Sequence, residues 1–290
     1  MMIEGAKMKT KFAPAMAGAA FCCMLFFNTQ IAAAQSPQPA NETTTSSFHW
    51  PDGHRAAVSL SFDDARLSQI DTGLPLFEKL GVKVTFFVEP RGVRERLQGW
   101  KQAVSDGHEI ANHTLTHPCT GNYPFSLNNA LENYNLERMA QQIDGANHQI
   151  QTLLGVESKT FAYPCGQKFV GRGLDVESYV PLVAERFVVG RSYLSESSNN
   201  PMVVDLAQAM GTAFDDMDFL EMKKLVDDAV KQGRWVIFVG HEIGHRAYQT
   251  TDTNAIEELC KYLRDPSNGI WFATVGEVGS YIRQQRAGNN

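Results

Sequence analysis

The chain has 290 residues, 43% of them hydrophobic and 20% charged, with a formal net charge of −6. That balance supplies a sizeable core in one large domain or two small ones. No long basic run is present, which argues against a nucleic-acid partner, and the acidity disfavours polyanionic substrates.

Lys7, Lys9 and Lys11 precede an apolar stretch from Phe12 through Phe27, and Ala32-Ala33-Ala34 stand before Gln35. This is the order of a secretory signal over 1–34 with an A-x-A-like cleavage site. Pro14 and Gly18 interrupt the apolar stretch and Asn28 to Gln30 are polar, so no stable membrane span is expected after cleavage. Phe21 is too large before Cys22 for a typical lipoprotein signal. Export places the remainder in the periplasm or outside the cell. Residues 35–47 are polar and read as a disordered linker, and a single folded domain is expected over 48–286.

The domain opens with Ala56 to Phe62, where Val58, Leu60 and Phe62 alternate as in a strand. Helical spacing follows from about Leu67 to Leu80, ended by Gly81. Val82 to Val88 is a strand apolar enough to be buried on both faces. A helix is predicted over about Val93 to Ser105, a short strand over His108 to Asn112, and a long helix within Leu127 to Leu154, stopped by Gly155. Thr160 to Tyr163 is the next strand, then a helix over about Val176 to Glu185 and a strand over Phe187 to Val189. The spacing then predicts a helix over about Phe219 to Lys231, a buried strand over Trp235 to Val239, a helix over about Asn254 to Leu263, a strand over Gly269 to Ala273 and a last helix near Val275 to Gln284. Such alternation implies a parallel α/β fold, either a barrel or an open doubly wound sheet. No G-x-G-x-x-G follows the first strand, which counts against a dinucleotide site.

Polar residues cluster just after the strands: Asp63-Asp64, His113 and His117, Cys165, His241. A parallel barrel builds its site there. Asp63 and Asp64 repel one another unless a cation or proton intervenes, and neighbouring strand side chains point apart. One is then suited to hold a metal while the other moves a proton; a solvated turn with Asp64 as a helix N-cap is the alternative. His113-Thr114-Leu115-Thr116-His117 has the i, i+4 spacing that, on a helical turn, aims two imidazoles at one cation. With Asp64 the set is O, N, N and leaves a coordination position open, as in catalytic divalent sites.

Taken together, Ser61-Phe62-Asp63-Asp64, His113-Thr114-Leu115-Thr116-His117, Phe161-Ala162-Tyr163-Pro164-Cys165-Gly166 and Val236-Ile237-Phe238-Val239-Gly240-His241-Glu242 resemble the ordered motifs of the polysaccharide deacetylases, the NodB-homology group or carbohydrate esterase family 4. The resemblance runs from about Phe48 to Gln284. It implies a distorted (β/α) barrel with fewer than eight parallel strands, and metal-assisted removal of N- or O-acetyl groups from a polysaccharide or oligosaccharide. It implies Asp63 as general base, Asp64, His113 and His117 as metal ligands, His241 as general acid, and the Cys165 backbone N–H as an oxyanion donor. The donors suit Zn²⁺, with Co²⁺, Ni²⁺ or Fe²⁺ fitting similar ligands. Ala162 stands where the family's third motif carries the arginine that fixes the base. Arg191, after a strand end, is the preferred substitute, with Arg172 as the alternative. Asp205 and Asp215 are both candidates for the acid that orients His241. Cys119 and Cys165 are expected to pair if both motifs line one site, leaving Cys260 buried and free. Tyr123, Phe125, Tyr163 and Tyr193 are candidates for stacking on sugar rings.

Two rival readings compete. His241-Glu242-Ile243-Gly244-His245 matches the H-E-x-x-H zinc-protease motif, with Glu257 or Glu258 as a third ligand. It follows a strand rather than lying on a helix, Gly244 is a poor helix residue, and Tyr248 and Thr251 stand where the extended motif has glycine and histidine. The other rival is a catalytically inactive carbohydrate-binding barrel.

Overall fold

The alternating pattern of the first strand sorts its side chains onto two faces, and the rest of the fold is built on that division. The computed structural model describes residues 48–245 and 247–288; the expected signal (1–34) and linker (35–47) lie outside the described residues. Strand β1, Ala56–Asp63, is buried at every position. Val58, Leu60 and Phe62 face a helix-covered core that includes Phe77, Phe86 and Trp100. Ala57 faces a second core with Phe87, Ala111, Ala162, Trp235 and Ile237, which is the barrel interior. Small side chains on several strands leave room there for Phe87 and Trp235. Burying a side chain the size of Phe62 or Phe86 contributes roughly 1.5–3 kcal/mol. Asp63 shares the parity of Ala57, so β1 delivers it to the inner face.

The other strands of this sheet are β2 (Thr85–Val88), β3 (Glu109–Asn112), β4 (Thr160–Ala162), β5 (Val189–Arg191), β6 (Thr212–Ala213), β7 (Trp235–Gly240) and β8 (Ile270–Phe272). Seven lie in the order β5-β4-β3-β2-β1-β7-β6, and β8 pairs with β1 off that path. Every pairing is parallel, with Ser61 opposite Thr85 and Phe62 opposite Gly240. The segment entering β6 bridges back to β5 through Ala209 N–H to Gly190 O (2.8 Å) and Ser192 N–H to Ala209 O (2.7 Å). The result is a curled, distorted (β/α) barrel built on seven parallel strands, fewer than a full eight-strand barrel path.

The helices are α1 (Leu74–Leu80), α2 (Pro90–Glu95), α3 (Leu97–Ser105), α4 (Leu136–Leu154), α5 (Val180–Arg186), α6 (Phe219–Gln232), α7 (Thr253–Arg264) and α8 (Val275–Gly288). Helix α4 begins at Asn135, whose side chain accepts from Arg138 N–H, and buries Met139, Ile143, Ala146, Ile150 and Leu154. That is the spacing of one helical stripe. Asp218 and Glu221 close a capping box on α6. None of the helices among the described residues is long and apolar enough to cross a membrane.

Several expected boundaries move, each for a local reason. The helix expected from Leu67 begins as a π-helical turn, Gln69–Gly73, before Pro75 enters the first turn of α1. The helix expected over Val93 to Ser105 is two, α2 and α3. Arg96 lies between them at φ −135°, ψ 43°, and its guanidinium grips Asp71 at 2.8 Å. The start of the long Leu127 segment is spent in 3₁₀ turns at Pro124–Asn129 and Leu131–Asn133. The strand expected over Phe187 to Val189 runs two residues later and so contains Arg191. The helix expected from Val176 starts at Val180, because Glu177–Ser178 pairs antiparallel with Phe169–Val170. Strand Thr212–Ala213 was not expected. The other elements shift at their ends, where helices and strands fray.

Candidate active site

Asp63, at the end of β1, accepts a short hydrogen bond through Oδ1 from Arg191 Nη2. Both side chains are buried. Arg191 reaches Asp63 from β5, where it is opposite Ala162 of β4. Its guanidinium carbon lies 4.7 Å from the centre of the Phe87 ring, and Nη1 donates to Ser192 O at 2.9 Å. Arg172 points elsewhere and bonds Asn133 Oδ1 at 2.7 Å on the surface.

Asp64 leaves the strand at φ 75°, outside any helix N-cap. This left-handed turn aims its carboxylate at the two histidines: Oδ1 is 3.4 Å from His113 Nε2 and 3.5 Å from His117 Nε2. Arg66 holds the other oxygen, Oδ2, through Nε (3.1 Å) and Nη2 (2.9 Å). The histidines do not lie on a helical turn as the i, i+4 spacing suggested. Thr114 (φ 67°) and His117 (φ 47°) both take left-handed conformations, which cost non-glycine residues energy. The turn is secured by Thr114 N–H to Asn112 Oδ1 (2.7 Å) and His117 N–H to Thr114 Oγ1 (3.0 Å). His113 Nδ1 donates to Ala162 O at 2.9 Å, so its Nε2 lone pair faces Asp64. A backbone acceptor on the outer nitrogen is the usual way a protein fixes a metal-ligating imidazole.

These atoms fit a divalent cation. Asp64 Oδ1 is buried without a hydrogen-bond partner, an arrangement that costs about 1–3 kcal/mol if nothing compensates it. Its oxygen and the two imidazole nitrogens lie within 4.8 Å of one another, and three O, N, N ligands leave room for an exchangeable position.

His241 follows β7. Its Nδ1 meets Asp215 Oδ2 at 2.5 Å, and its backbone N–H donates to Asp215 Oδ1 at 3.0 Å. Thr251 Oγ1 also donates to that oxygen, at 3.1 Å. Asp215 is therefore the acid that orients His241. Asp205 instead caps a short turn through Ala207 N–H. Gly240 makes room for this contact: a Cβ there would lie 2.7 Å from Phe214 and 3.2 Å from Asp215 Oδ1. Gln69 Nε2 donates to Asp63 O (2.5 Å) and His241 O (2.9 Å), tying the two strand ends together.

Burial alone would raise the Asp64 carboxyl, but His113, 3.4 Å away, with His117 and His241 behind, holds it well below the ordinary range. Burial also opposes charge on His113, yet Asp63 and Asp64 raise its pKa. His117 is pushed down to about 4, by burial and then by His113. The two rings are 4.7 Å apart, so a proton taken by one is refused by the other. His241 is raised because Asp215, Asp63 and Asp64 outweigh its burial. Glu89, after β2, is pushed up to about 7 by burial and then by Asp64.

Cys165 sits at φ 53° in the turn Pro164–Gly166 and is joined to Cys119 by a disulfide with a Cα–Cα distance of 6.1 Å. Cys260 is free and buried. Asp63, Asp64, His113, His117, Cys165 and His241 all line one cleft of about 990 Å³. Tyr123 and Phe125 stack at its rim with centroids 5.3 Å apart, and Tyr193 stands edge-on to His241 at 5.6 Å. Tyr163 is not available to a sugar: it is fully buried, and its hydroxyl donates to Ala207 O at 2.7 Å.

The H-E-x-x-H segment does not assemble a protease site. Glu242–Gly244 is a strand paired with Thr250–Asp252, and the His245 side chain is 87% exposed. Glu242 accepts from Ser68 Oγ, Glu257 is paired with Lys79 and Lys261, and Glu258 lines a separate cavity. Neither candidate cation cluster among the described residues includes His245. Sequence reasoning missed Arg66, Gln69 and Glu89. Glu89 had a signal, since it follows the end of β2 as Asp64 follows β1; Arg66 and Gln69 had none beyond proximity to the acidic pair.

A parallel barrel carrying carboxylate and imidazole groups at the carboxyl ends of its strands belongs to a class whose sites lie at that rim. Within that class, the family model described as "Polysaccharide deacetylase" matches residues 51–172. An uncharacterized protein of Bacillus subtilis (strain 168), YlxY, is 38% identical over 93 residues, 32% of this chain and 26% of that protein. A gellan lyase from Bacillus sp is 25% identical over 226 residues, 78% of this chain and 7% of that protein. The chain thus spans about a quarter or less of the length of these relatives. The fold is shared with a Mycobacterium smegmatis structure bearing a provisional polysaccharide deacetylase description (TM-score 0.61, 15% identity, 82% of this chain and 94% of that one). It is also shared with the Xyl-CE4 domain of a multidomain xylanase from the Trinervitermes trinervoides hindgut metagenome (TM-score 0.50, 18% identity, 80% and 91%).

Proposed function

We propose that the domain, over 48–286, hydrolyses acetyl groups from an acetylated polysaccharide or oligosaccharide, with a divalent cation held by Asp64, His113 and His117. The observation that carries this reading is the convergence of the orphaned Asp64 Oδ1 with two imidazole Nε2 atoms, beside a carboxylate, Asp63, that has its own arginine. When bound, such a cation supplies Lewis acidity and favours the ionised form of water near neutral pH. The ligand types suit Zn²⁺ and accept Co²⁺, Ni²⁺ or Fe²⁺.

Asp63 takes the proton of the attacking water, and Arg191 keeps that carboxylate pointed into the cleft. His241 is held through Nδ1 by Asp215, which leaves Nε2 to hand a proton to the departing amine or hydroxyl. The turn at Cys165 offers its backbone N–H to the developing oxyanion. The stacked Tyr123 and Phe125 rings give the cleft an aromatic wall suited to a sugar face. A disulfide beside the site agrees with export to the periplasm or the extracellular space.

The test is acetate release from acetylated chito-oligomers and acetylated xylan. Asp63→Asn and His241→Ala are expected to lower release by about 10²–10⁴-fold each. Wild-type rates in Asp63→Asn would overturn the role of Asp63. Absence of release from a wide acetylated panel would favour the inactive, carbohydrate-binding reading.

A further inference from the structure

His117 is shared by two sets of ligand atoms. Its Nε2 lies 3.5 Å from Asp64 Oδ1, while its Nδ1 lies 3.6 Å from Cys119 Sγ. The sulfurs of Cys119 and Cys165 and a ring nitrogen of His117 also lie within 4.8 Å of one another. As a disulfide the sulfurs are uncharged and weakly accepting, and they grip no cation. A neutral imidazole has one N–H and one lone pair. With the disulfide closed, the N–H points from Nδ1 to sulfur and the lone pair on Nε2 faces Asp64 and His113.

We propose that opening this disulfide creates a second cation site, made of the Cys119 and Cys165 sulfurs with His117 Nδ1. This site competes with the Asp64–His113–His117 site for the single lone pair of His117. The competition clause rests on the reading of the first site given above. A cation on Nδ1 moves the ring proton to Nε2 and takes His117 from the first site. The disulfide therefore decides which pair of partners His117 serves.

Both loops keep their positions without the S–S bond. Cys119 N–H donates to Ser126 Oγ (2.9 Å), and Leu131 N–H donates to Cys119 O (2.9 Å). On the other side, Gly166 N–H donates to Tyr163 O (2.8 Å), and Thr120 N–H donates to Gln167 Oε1 (2.7 Å), which joins the two loops directly. The freed sulfurs thus stay adjacent. Cys165 and His117 line the cleft, so a cation has a way in. Two sulfurs and one imidazole select soft or borderline cations such as Zn²⁺ or Co²⁺.

Opening takes two electrons. With a phosphine reductant, the S–S bond breaks, phosphorus is oxidised to the phosphine oxide with oxygen from water, and two thiols form. A divalent cation then displaces both thiol protons to the buffer.

The experiment titrates Co²⁺ into the full chain under anaerobic conditions, oxidised or reduced by phosphine and desalted. Reduced protein is expected to show thiolate-to-cobalt charge-transfer absorption in the near ultraviolet, and oxidised protein none. The band is expected to persist in reduced His113→Ala, which lacks the first site. It is expected to be lost in Cys119→Ser/Cys165→Ser, which retains Cys22, Cys23 and Cys260. Uptake is expected to stay at one Co²⁺ per chain in either redox state. Absence of the band in reduced wild type, its survival in the double serine variant, or uptake of two ions by the reduced chain each overturns the proposal. The two readings fail separately: oxidised protein that takes up no Co²⁺ refutes the Asp64 site, whereas reduced protein without the band refutes this one.

Discussion

Arg191→Met tests the buried pair at the base of the cleft. Arg191 is enclosed on all sides, and it supplies the hydrogen bond from Nη2 to Asp63 Oδ1. Methionine keeps much of the packing over Phe87 but removes the charge. A carboxylate left buried without its partner costs about 3–5 kcal/mol. For a domain of this size each kcal/mol lowers Tm by about 2–4 °C, so a fall of roughly 6–20 °C is expected. Urea unfolding followed by tryptophan fluorescence and circular dichroism measures the loss. Arg191→Met/Asp63→Asn removes both charges and is expected to recover more than half of it, while acetate release stays abolished because the base is gone. An Arg191→Met protein within about 1 kcal/mol of wild type would refute the reasoning, since exposed pairs are worth only that much.

Arg66→Gln frees Asp64 Oδ2 from its bidentate partner and is expected to weaken cation binding by about 10–100-fold, as loss of such a supporting partner typically does; competition with a chelating dye measures it. Asp215→Asn removes the group that does most to raise His241 against its burial. The alkaline limb of kcat/KM reports loss of the His241 proton, so this limb is expected to move to lower pH. An unmoved limb would remove His241 from the acid role. His108 is held down to about 4 by burial and then by Lys83, whereas the unfolded chain protonates it near 6.5. The unfolded state therefore binds the extra proton between those values, and stability is lost as pH falls through that window, by about 3 kcal/mol when complete. His108→Gln is expected to flatten that part of the unfolding free energy against pH; an unchanged slope would show that other groups carry it.

The architecture was legible because strand and helix alternate in hydrophobic period and because polar residues collect after the strands. Asp63 and Asp64 were readable as a divided pair since strand parity separates neighbours, and the structure sends one inward from β1 and turns the other out at φ 75°. The helical reading of His113 and His117 failed for a local reason. Thr114 and His117 adopt positive φ, stabilised by Asn112 and Thr114 side chains that no periodicity reveals. The choice between Asp205 and Asp215 needed the third dimension, because it depends on how Phe214 N–H pairs with Val239 O at the sheet edge. Arg191 was identified by its place near a strand end, although a two-residue error in that strand hid that it is part of β5. Arg66 was illegible because its role depends on the backbone turn at Asp64 and Ala65.

The central claim is that Asp64, His113 and His117 hold the cation on which deacetylation depends. Bound metal by elemental analysis and acetate release, measured on the same samples before and after chelation and reloading, test it most directly. The account predicts one divalent ion per chain, parallel loss and recovery of ion and activity, and absence of both in His113→Ala. Full acetate release from metal-stripped protein, or from His113→Ala, would contradict it.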